Sequence, residues 1–260
     1  MMQSKLTHPL ELPFYILAVI TNVLILVIIY ICGMLFDNLF NSSMGDEIVW
    51  FIFGSIPIII ATRIIIRSYV HTDGIRLSRT QFPQIYTIVE DISRQLKISR
   101  PPDIYLYTGD ARKKVDSGNG FGKAYIFINS EACKFGEESV DGLAFLLGRE
   151  FGHLQLNHYN PWNLLSVMYF MQIPLLGAAL RRVRTYSCDR YGAYVSPNGI
   201  DGFLFLVAGR LVFKQVNLND YLEQAAKHQR FWISAIELFK NLPSNKKRLD
   251  ILYQTGFFNR

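Results

Sequence analysis

A long apolar run near the N-terminus constrains this chain more than any other feature. From Pro13 to Phe36 the sequence is almost wholly apolar, with Thr21 and Asn22 as its polar interruptions. A helix of that length can cross a bilayer hydrocarbon core of about 30 Å. A cleavable signal peptide is the alternative, but the run is longer than such a segment needs and no small-residue cleavage site follows it. The run therefore predicts a transmembrane helix.

A second apolar run extends from Ile48 to Ile66 and contains Pro57 and Arg63. Proline is common in membrane helices, and an arginine near a helix end can extend its charge to the interface. The loop between the runs has acids but no Lys or Arg, whereas several arginines accompany or follow the second run: Arg63, Arg67, Arg76 and Arg79. Because basic residues favour the cytoplasmic side, we expect a two-helix transmembrane hairpin with both ends in the cytoplasm.

The composition of the whole chain limits its partners. The net charge is +6, but the basic residues are scattered, and no Arg-rich segment with interleaved aromatics is present. Nucleic acid is therefore not expected, whereas a lipid bilayer is. The chain has three cysteines, an odd number, and they are widely spaced, so no disulfide framework is implied. We expect residues 1–80 to form the hairpin and its juxtamembrane segment, and residues 81–260 to form one domain.

Beyond the hairpin, the pattern predicts a mixture of helices and short strands. Apolar residues at helical spacing follow Pro83 and predict an amphipathic helix that ends before Pro101. Short β-rich runs from Asp103 to Tyr107 and from Ala124 to Asn129 predict strands. The glycine-rich stretch from Ser117 to Gly122 lies between them and is predicted as a turn or flexible loop.

The next predicted helix, from about Glu138 to Asn157, carries the most informative segment. In zincins the pattern H-E-x-x-H places two histidines one turn apart on a helix, so that they bind one Zn²⁺ while the glutamate activates a metal-bound water. Here Arg149 stands in the place of the first histidine, followed by Glu150 and then His153. A glutamate and a histidine three residues apart are more often an ordinary helix-surface pair, so this segment alone is weak evidence.

Several segments together resemble the M48 family of zinc metallopeptidases. In chain order they are Val115-Asp116-Ser117, Ala124 to Ser130, Leu147 to His153, Tyr186 to Arg190, Asn241-Leu242-Pro243 and Arg248-Leu249. Their order and spacing are similar to an edge strand reading V-N-A, a strand ending in N-S, the helix G-H-E-x-G-H, the box E-x-x-[AC]-D-R and the tail H-P-x…R-L of that family. The resemblance implies an α+β, zincin-like (minigluzincin) peptidase domain with a small β-sheet and mostly helices.

The resemblance also implies which residues would form the metal site. The family's zinc ligands correspond to positions 149 and 185 together with His153, but this chain has Arg149 and Thr185 at two of them. His153 is then the only retained ligand, and Arg149 would repel a divalent ion because a guanidinium does not deprotonate. We therefore expect no cofactor here, and Glu150 becomes a vestigial general base without a metal-bound water to activate.

Two interpretations of Arg149 stay open. Asp189 matches the acid of the family's A-D box, so it could pair with Arg149 as a second-shell residue and leave His153 a hydrogen-bond partner. In the other interpretation, Arg149 points to solvent and nothing replaces the zinc.

A third apolar run extends from Trp162 to Leu180 and by length alone could be another span. It connects the His153 helix to the Asp189 segment, and a single crossing would put these on opposite sides of the membrane. We therefore expect it to dip into the membrane, lie along it or be buried in protein, with Pro174 bending it.

Together these features predict a membrane-anchored M48 peptidase homologue that is catalytically inactive. Such a pseudopeptidase would bind an extended peptide or a membrane-protein partner along the strand that begins at Val115. One alternative is a structural subunit of a membrane complex. The other is an active zinc endopeptidase with substitute ligands, His158 and Cys188. On a continuous helix His158 lies about 140° around from His153, which disfavours a shared metal.

Overall fold

The computed structural model describes residues 6–40, 43, 45–47, 49–51, 54, 57–58, 61, 65, 74–108, 115–119, 124–227 and 237–258. Its helices are α1 (Glu11–Phe40), α2 (Pro83–Gln95), α3 (Ser130–Glu138), α4 (Val140–Gln155), α5 (Pro161–Ser166), α6 (Leu176–Val195), α7 (Ile200–Ala208), α8 (Leu218–Lys227) and α9 (Asn245–Gln254). Its strands are β1 (Ile75–Arg76), β2 (Asp103–Tyr107), β3 (Val115–Asn119) and β4 (Ala124–Asn129). The expected mostly helical α+β class is confirmed.

The strands form one mixed sheet in the order β1-β2-β4-β3. β2 and β4 are parallel, and both other pairings are antiparallel. The two strands predicted from β-rich runs are confirmed. The turn predicted from Ser117 onward is wrong for residues 117–119, which belong to β3, whereas residues 120–123 lie outside the described part. Gly118 faces Tyr125 across the ladder, and a Cβ at position 118 would lie 2.5 Å from the tyrosine oxygen. This glycine therefore makes room for an aromatic ring rather than for a turn.

The predicted amphipathic helix is confirmed as α2, which begins at Pro83 and buries Ile85, Val89 and Ile92. α4 starts two residues later than predicted because the Ser139 side chain accepts a hydrogen bond from the Gly142 backbone and caps the helix. α2, α4, α6 and α7 pack with the sheet around one apolar core, whose largest fully buried side chains are aromatic: Phe135, Phe145, Phe151, Phe203, Phe205, Phe213 and Tyr191.

α1 is the one helix in the described part that is long and apolar enough to cross a membrane. Only 11% of its most apolar window is buried, which distinguishes it from a core helix. Its first turns dock on the rest of the protein, where Ala18 packs with Val167, Phe170 and Leu180 in a small cluster. Beyond Asn22 it exposes a continuous series of large apolar side chains, including Val23, Leu24, Val27, Ile28, Ile31, Met34, Leu35 and Leu39.

Part of the second predicted span lies outside the described residues, namely 48, 52–53, 55–56, 59–60, 62–64 and 66. The described residues between 45 and 65 are helical. The Asp37 carboxylate, near the end of α1, accepts hydrogen bonds from the backbone N–H groups of Gly45 and Asp46 at 2.7 and 2.8 Å. This contact joins α1 to the start of the following helical segment.

The third apolar run does not form one continuous helix. It contains α5, a 3₁₀ turn at Phe170–Gln172, and the start of α6 at Leu176, just after Pro174. Val167 and Phe170 within it are buried against α1. The run was expected to bend at Pro174, and the structure interrupts it there. Its buried part packs beside the docked turns of α1.

Candidate functional site

The site lies where α4 crosses α6, and glycines allow the two backbones to approach closely. A Cβ at Gly148 would lie 3.0 Å from the Gly192 Cα, and one at Gly152 would lie 2.9 Å from the Tyr191 Cβ and 3.2 Å from the Cys188 Cα. Gly148 faces Gly192, whereas Gly152, one turn later in α4, faces Cys188, one turn earlier in α6. The two helices therefore pack antiparallel. This packing brings residues 149–153 opposite residues 188–192.

Asp189 on α6 is buried and bonded by two guanidinium groups. The Nε of Arg149 donates to its Oδ1 at 2.7 Å, and Arg248 donates from Nε to Oδ2 at 2.7 Å and from Nη2 to Oδ1 at 2.8 Å. Burial alone would raise the pKa of Asp189, but Arg248 and Arg149 hold it below its usual value. Of the two interpretations of Arg149, the structure shows the pairing with Asp189.

The ligand positions implied by the family do not fit a metal as a set. Arg149 is cationic and engaged with Asp189, whose charge raises the pKa of Arg149 despite burial. Thr185 is buried, and its hydroxyl donates to the backbone oxygen of Arg181 in the same helix at 2.9 Å. Of these three residues, only His153 offers a ligand atom that Zn²⁺ prefers.

Glu150 belongs to α4, and its side chain lies between that helix and the sheet. Its carboxylate is buried and accepts a hydrogen bond from the Ser117 hydroxyl on β3 at 2.7 Å. β3 is at one end of the sheet order, as expected for the strand that carries Val115, Asp116 and Ser117. The predicted general base is thus held against the predicted substrate strand.

His153, His158 and Cys188 form a cluster that the sequence disfavoured. Their ligand atoms all lie within 4.8 Å of one another. The two Nδ1 atoms are 3.0 Å apart, and the Cys188 Sγ lies 3.8 Å from the His158 Nδ1. The angular argument against a shared site was wrong because α4 ends at Gln155. Asn157 adopts a left-handed conformation with φ 55°, and the His158 N–H donates to the His153 oxygen at 3.0 Å, which turns His158 back over His153.

Glu11, the first residue of α1, completes the site and was not anticipated. Its Oε1 lies 2.6 Å from the His158 Nε2, and its other oxygen accepts a hydrogen bond from the Ser187 hydroxyl. The backbone N–H of His8 donates to the same hydroxyl at 2.8 Å, and the His8 ring stacks on Tyr186. The N-terminal segment is therefore part of the site, although no local sequence pattern relates it to α4 or α6.

Burial sets the protonation of the cluster. It lowers the pKa of His153 well below its usual value, with help from His158 and Arg149. It also lowers the pKa of His158, although the contact with Glu11 opposes this. The pKa of the Cys188 thiol is raised well above its usual value for the same reason. Near neutral pH the site therefore presents two uncharged imidazoles and a thiol.

No family model matches the chain, and no curated protein or solved structure matches it either.

Proposed function

We propose that the protein is a membrane-anchored, M48-like pseudopeptidase that binds an extended peptide, or an extended segment of a membrane protein, along β3. The observation that carries this proposal is the position of β3. Among the described strands it ends the sheet, and it lies against α4 through the bond from Ser117 to Glu150. A peptide that adds to a sheet edge gains main-chain hydrogen bonds without needing any metal.

The resemblance to M48 peptidases gains support from which segments meet. Arg149, Asp189 and Arg248 come from three of the segments that carry the resemblance, and they converge in one buried ion-pair group. Arg149 supplies a fixed cation where the family would bind zinc, and Asp189 balances it. This arrangement favours loss of the family's hydrolytic chemistry with retention of the scaffold.

A photo-crosslinking amino acid tests the peptide-binding role. It would replace Val115 on β3 or, as a matched control, Ile75 on β1 at the other end of the sheet. We expect crosslinks to unfolded casein from position 115 and few from position 75, with the casein left intact. Equal crosslinking at both edges would contradict the proposal, and none at either would favour a structural subunit.

A membrane anchor with two spans fits the contacts of α1. His8 and Glu11 touch α6, so the start of α1 and the domain lie on the same side of any membrane that α1 crosses. The chain must then cross back between residues 41 and 73, as the second apolar run would do. The arginines that flank that run favour the cytoplasm as the shared side.

Cysteine accessibility tests this orientation. A membrane-impermeant thiol reagent added from outside should label a cysteine introduced at Ser43 and miss one introduced at Ser244, in a chain whose accessible cysteines, Cys32 and Cys133, are replaced and whose buried Cys188 is kept. The reverse pattern would refute the cytoplasmic placement of the domain.

An active zinc endopeptidase is a second candidate, favoured by the cluster of His153, His158 and Cys188. It would need Glu150 to activate a metal-bound water, while that carboxylate is bonded to Ser117. Casein cleavage that a chelator stops, and that Glu150→Gln abolishes, would establish this candidate in place of the pseudopeptidase. A chelator-insensitive or absent cleavage would exclude it.

A further inference from the structure

We propose that His153, His158 and Cys188 form a Zn²⁺ site at the junction between the domain and α1, with a ligand set that shares only His153 with the one that the family resemblance implies. Three different structural units supply the ligands. His153 comes from the last turn of α4, His158 from the turn that follows, and Cys188 from the middle of α6. This site does not depend on whether the protein binds peptides.

The distances suit zinc. In a tetrahedral site with Zn–N bonds of about 2.0–2.1 Å and a Zn–S bond of about 2.3 Å, two nitrogen ligands lie about 3.3 Å apart and a nitrogen and a sulfur about 3.5 Å apart. The two Nδ1 atoms here are separated by 3.0 Å, and the Cys188 Sγ is 3.8 Å from the His158 Nδ1. Both distances are within a few tenths of an ångström of these values, and the ligand atoms of His153 and Cys188 lie within 4.8 Å of each other, so small side-chain adjustments would bring all three atoms onto one ion.

Glu11 orients His158 for this role. A carboxylate that accepts the proton of one imidazole nitrogen leaves the other nitrogen with a lone pair for a metal, an arrangement common in zinc sites. Glu11 Oε1 is 2.6 Å from Nε2 of His158, on the far side of the ring from Nδ1. Glu11 is thus a positioning residue, held in turn by the Ser187 hydroxyl.

The chemistry of the ligands selects a borderline-soft ion. A thiolate with two imidazoles suits Zn²⁺ better than Mg²⁺ or Ca²⁺, which prefer oxygen ligands. Binding deprotonates the coordinating thiol, so the Cys188 proton leaves for solvent as the Zn–S bond forms. The nearby Arg149 cation is offset by its bond to Asp189, which reduces its repulsion of the ion.

Metal analysis of the full chain, purified in detergent without chelators, tests the site. We expect close to one zinc per chain. After removal of zinc, Co²⁺ should restore one equivalent and produce a thiolate-to-cobalt charge-transfer absorption in the near ultraviolet. Copper in place of zinc would overturn the assignment of the ion. Failure to bind either Zn²⁺ or Co²⁺ would show that the two histidines simply share a hydrogen bond.

Variants locate the site. Cys188→Ser should abolish the charge-transfer band, whereas the matched control Cys133→Ser, on the partly buried face of α3, should keep it. If Cys188→Ser does not fold, Glu11→Gln provides a second measurement that keeps all three ligands. It should weaken Co²⁺ binding by about 10–100-fold, because it loosens the orientation of His158. An unchanged Co²⁺ affinity in Glu11→Gln, or a band lost in Cys133→Ser, would refute the site.

Discussion

The guanidinium of Arg149 lies 2.7 Å from the carboxylate of Asp189, and the two residues come from antiparallel helices that touch through glycines. Arg248 binds the same carboxylate from α9 and rests over the Phe203 ring. These ion pairs therefore connect α4, α6 and α9 around one buried carboxylate, that of Asp189.

Asp189→Asn should destabilise the protein by about 3–5 kcal/mol, because two buried guanidiniums lose their counter-charge. Denaturant titration in detergent measures the free energy of unfolding. Glu138→Gln is the control, since it breaks the more exposed pair with Arg210 and should cost less than about 1 kcal/mol. Similar small losses for both variants would show that the buried group contributes little.

Gly152→Ala should lower the free energy of unfolding by about 1–3 kcal/mol. The added Cβ would lie 2.9 Å from the Tyr191 Cβ and would push α4 away from α6. Gly54→Ala is the control, since no atom of the described residues lies within 4 Å of a Cβ placed there. If both variants melt at the temperature of the natural protein, the helices do not pack as closely as described.

Asn22→Leu should loosen the contact between α1 and the third apolar run. The Asn22 amide donates to the Leu165 oxygen and accepts from the Tyr169 N–H, at 3.3 and 2.8 Å, and leucine leaves both groups without this partner. The loss should be about 1–3 kcal/mol, seen as faster limited proteolysis after residue 160. Asn38→Leu, an exposed change on the same helix, should leave the proteolysis rate unchanged.

High pH should destabilise the domain through Tyr186. Burial raises the pKa of Tyr186 to about 12, whereas an unfolded tyrosine ionises near pH 10. The unfolded state therefore releases a proton first, and stability falls as the pH rises from about 10 towards 12. Unfolding measured at pH 9 and at about pH 11 should show a smaller loss for Tyr186→Phe. If Tyr186→Phe loses as much stability as the natural protein between these pH values, a group other than Tyr186 causes the loss.

Local patterns predicted much of the fold. Short β-rich runs predicted β2 and β4, and helical spacing predicted α2. The family resemblance offered Asp189 as a partner for Arg149, as one of two open interpretations, and the structure has this pairing. The sequence also contains a residue that often ends helices. Asn157 readily adopts the left-handed conformation that ends helices, and it correctly marks where α4 stops.

The remaining features depended on contacts between distant parts of the chain. Glu11 meets His158 across 147 positions, and nothing in either segment indicates the other. Gly118 lies in a glycine-rich stretch typical of a turn, but it pairs with Tyr125 on the neighbouring strand, whose side chain occupies the space that a Cβ at position 118 would need. Such contacts follow from tertiary packing, which local patterns do not specify.

The burial of Leu6 sets the order in which the protein can be completed during synthesis. Leu6 shares one core cluster with Leu249, Leu252 and Phe258, although it leaves the ribosome almost a whole chain length earlier. The segment that precedes α1 is therefore synthesised long before α9, and the shared core cannot be completed until α9 is released. If α1 enters a membrane as it is made, the residues just before it stay close to the bilayer while the rest of that core folds around them.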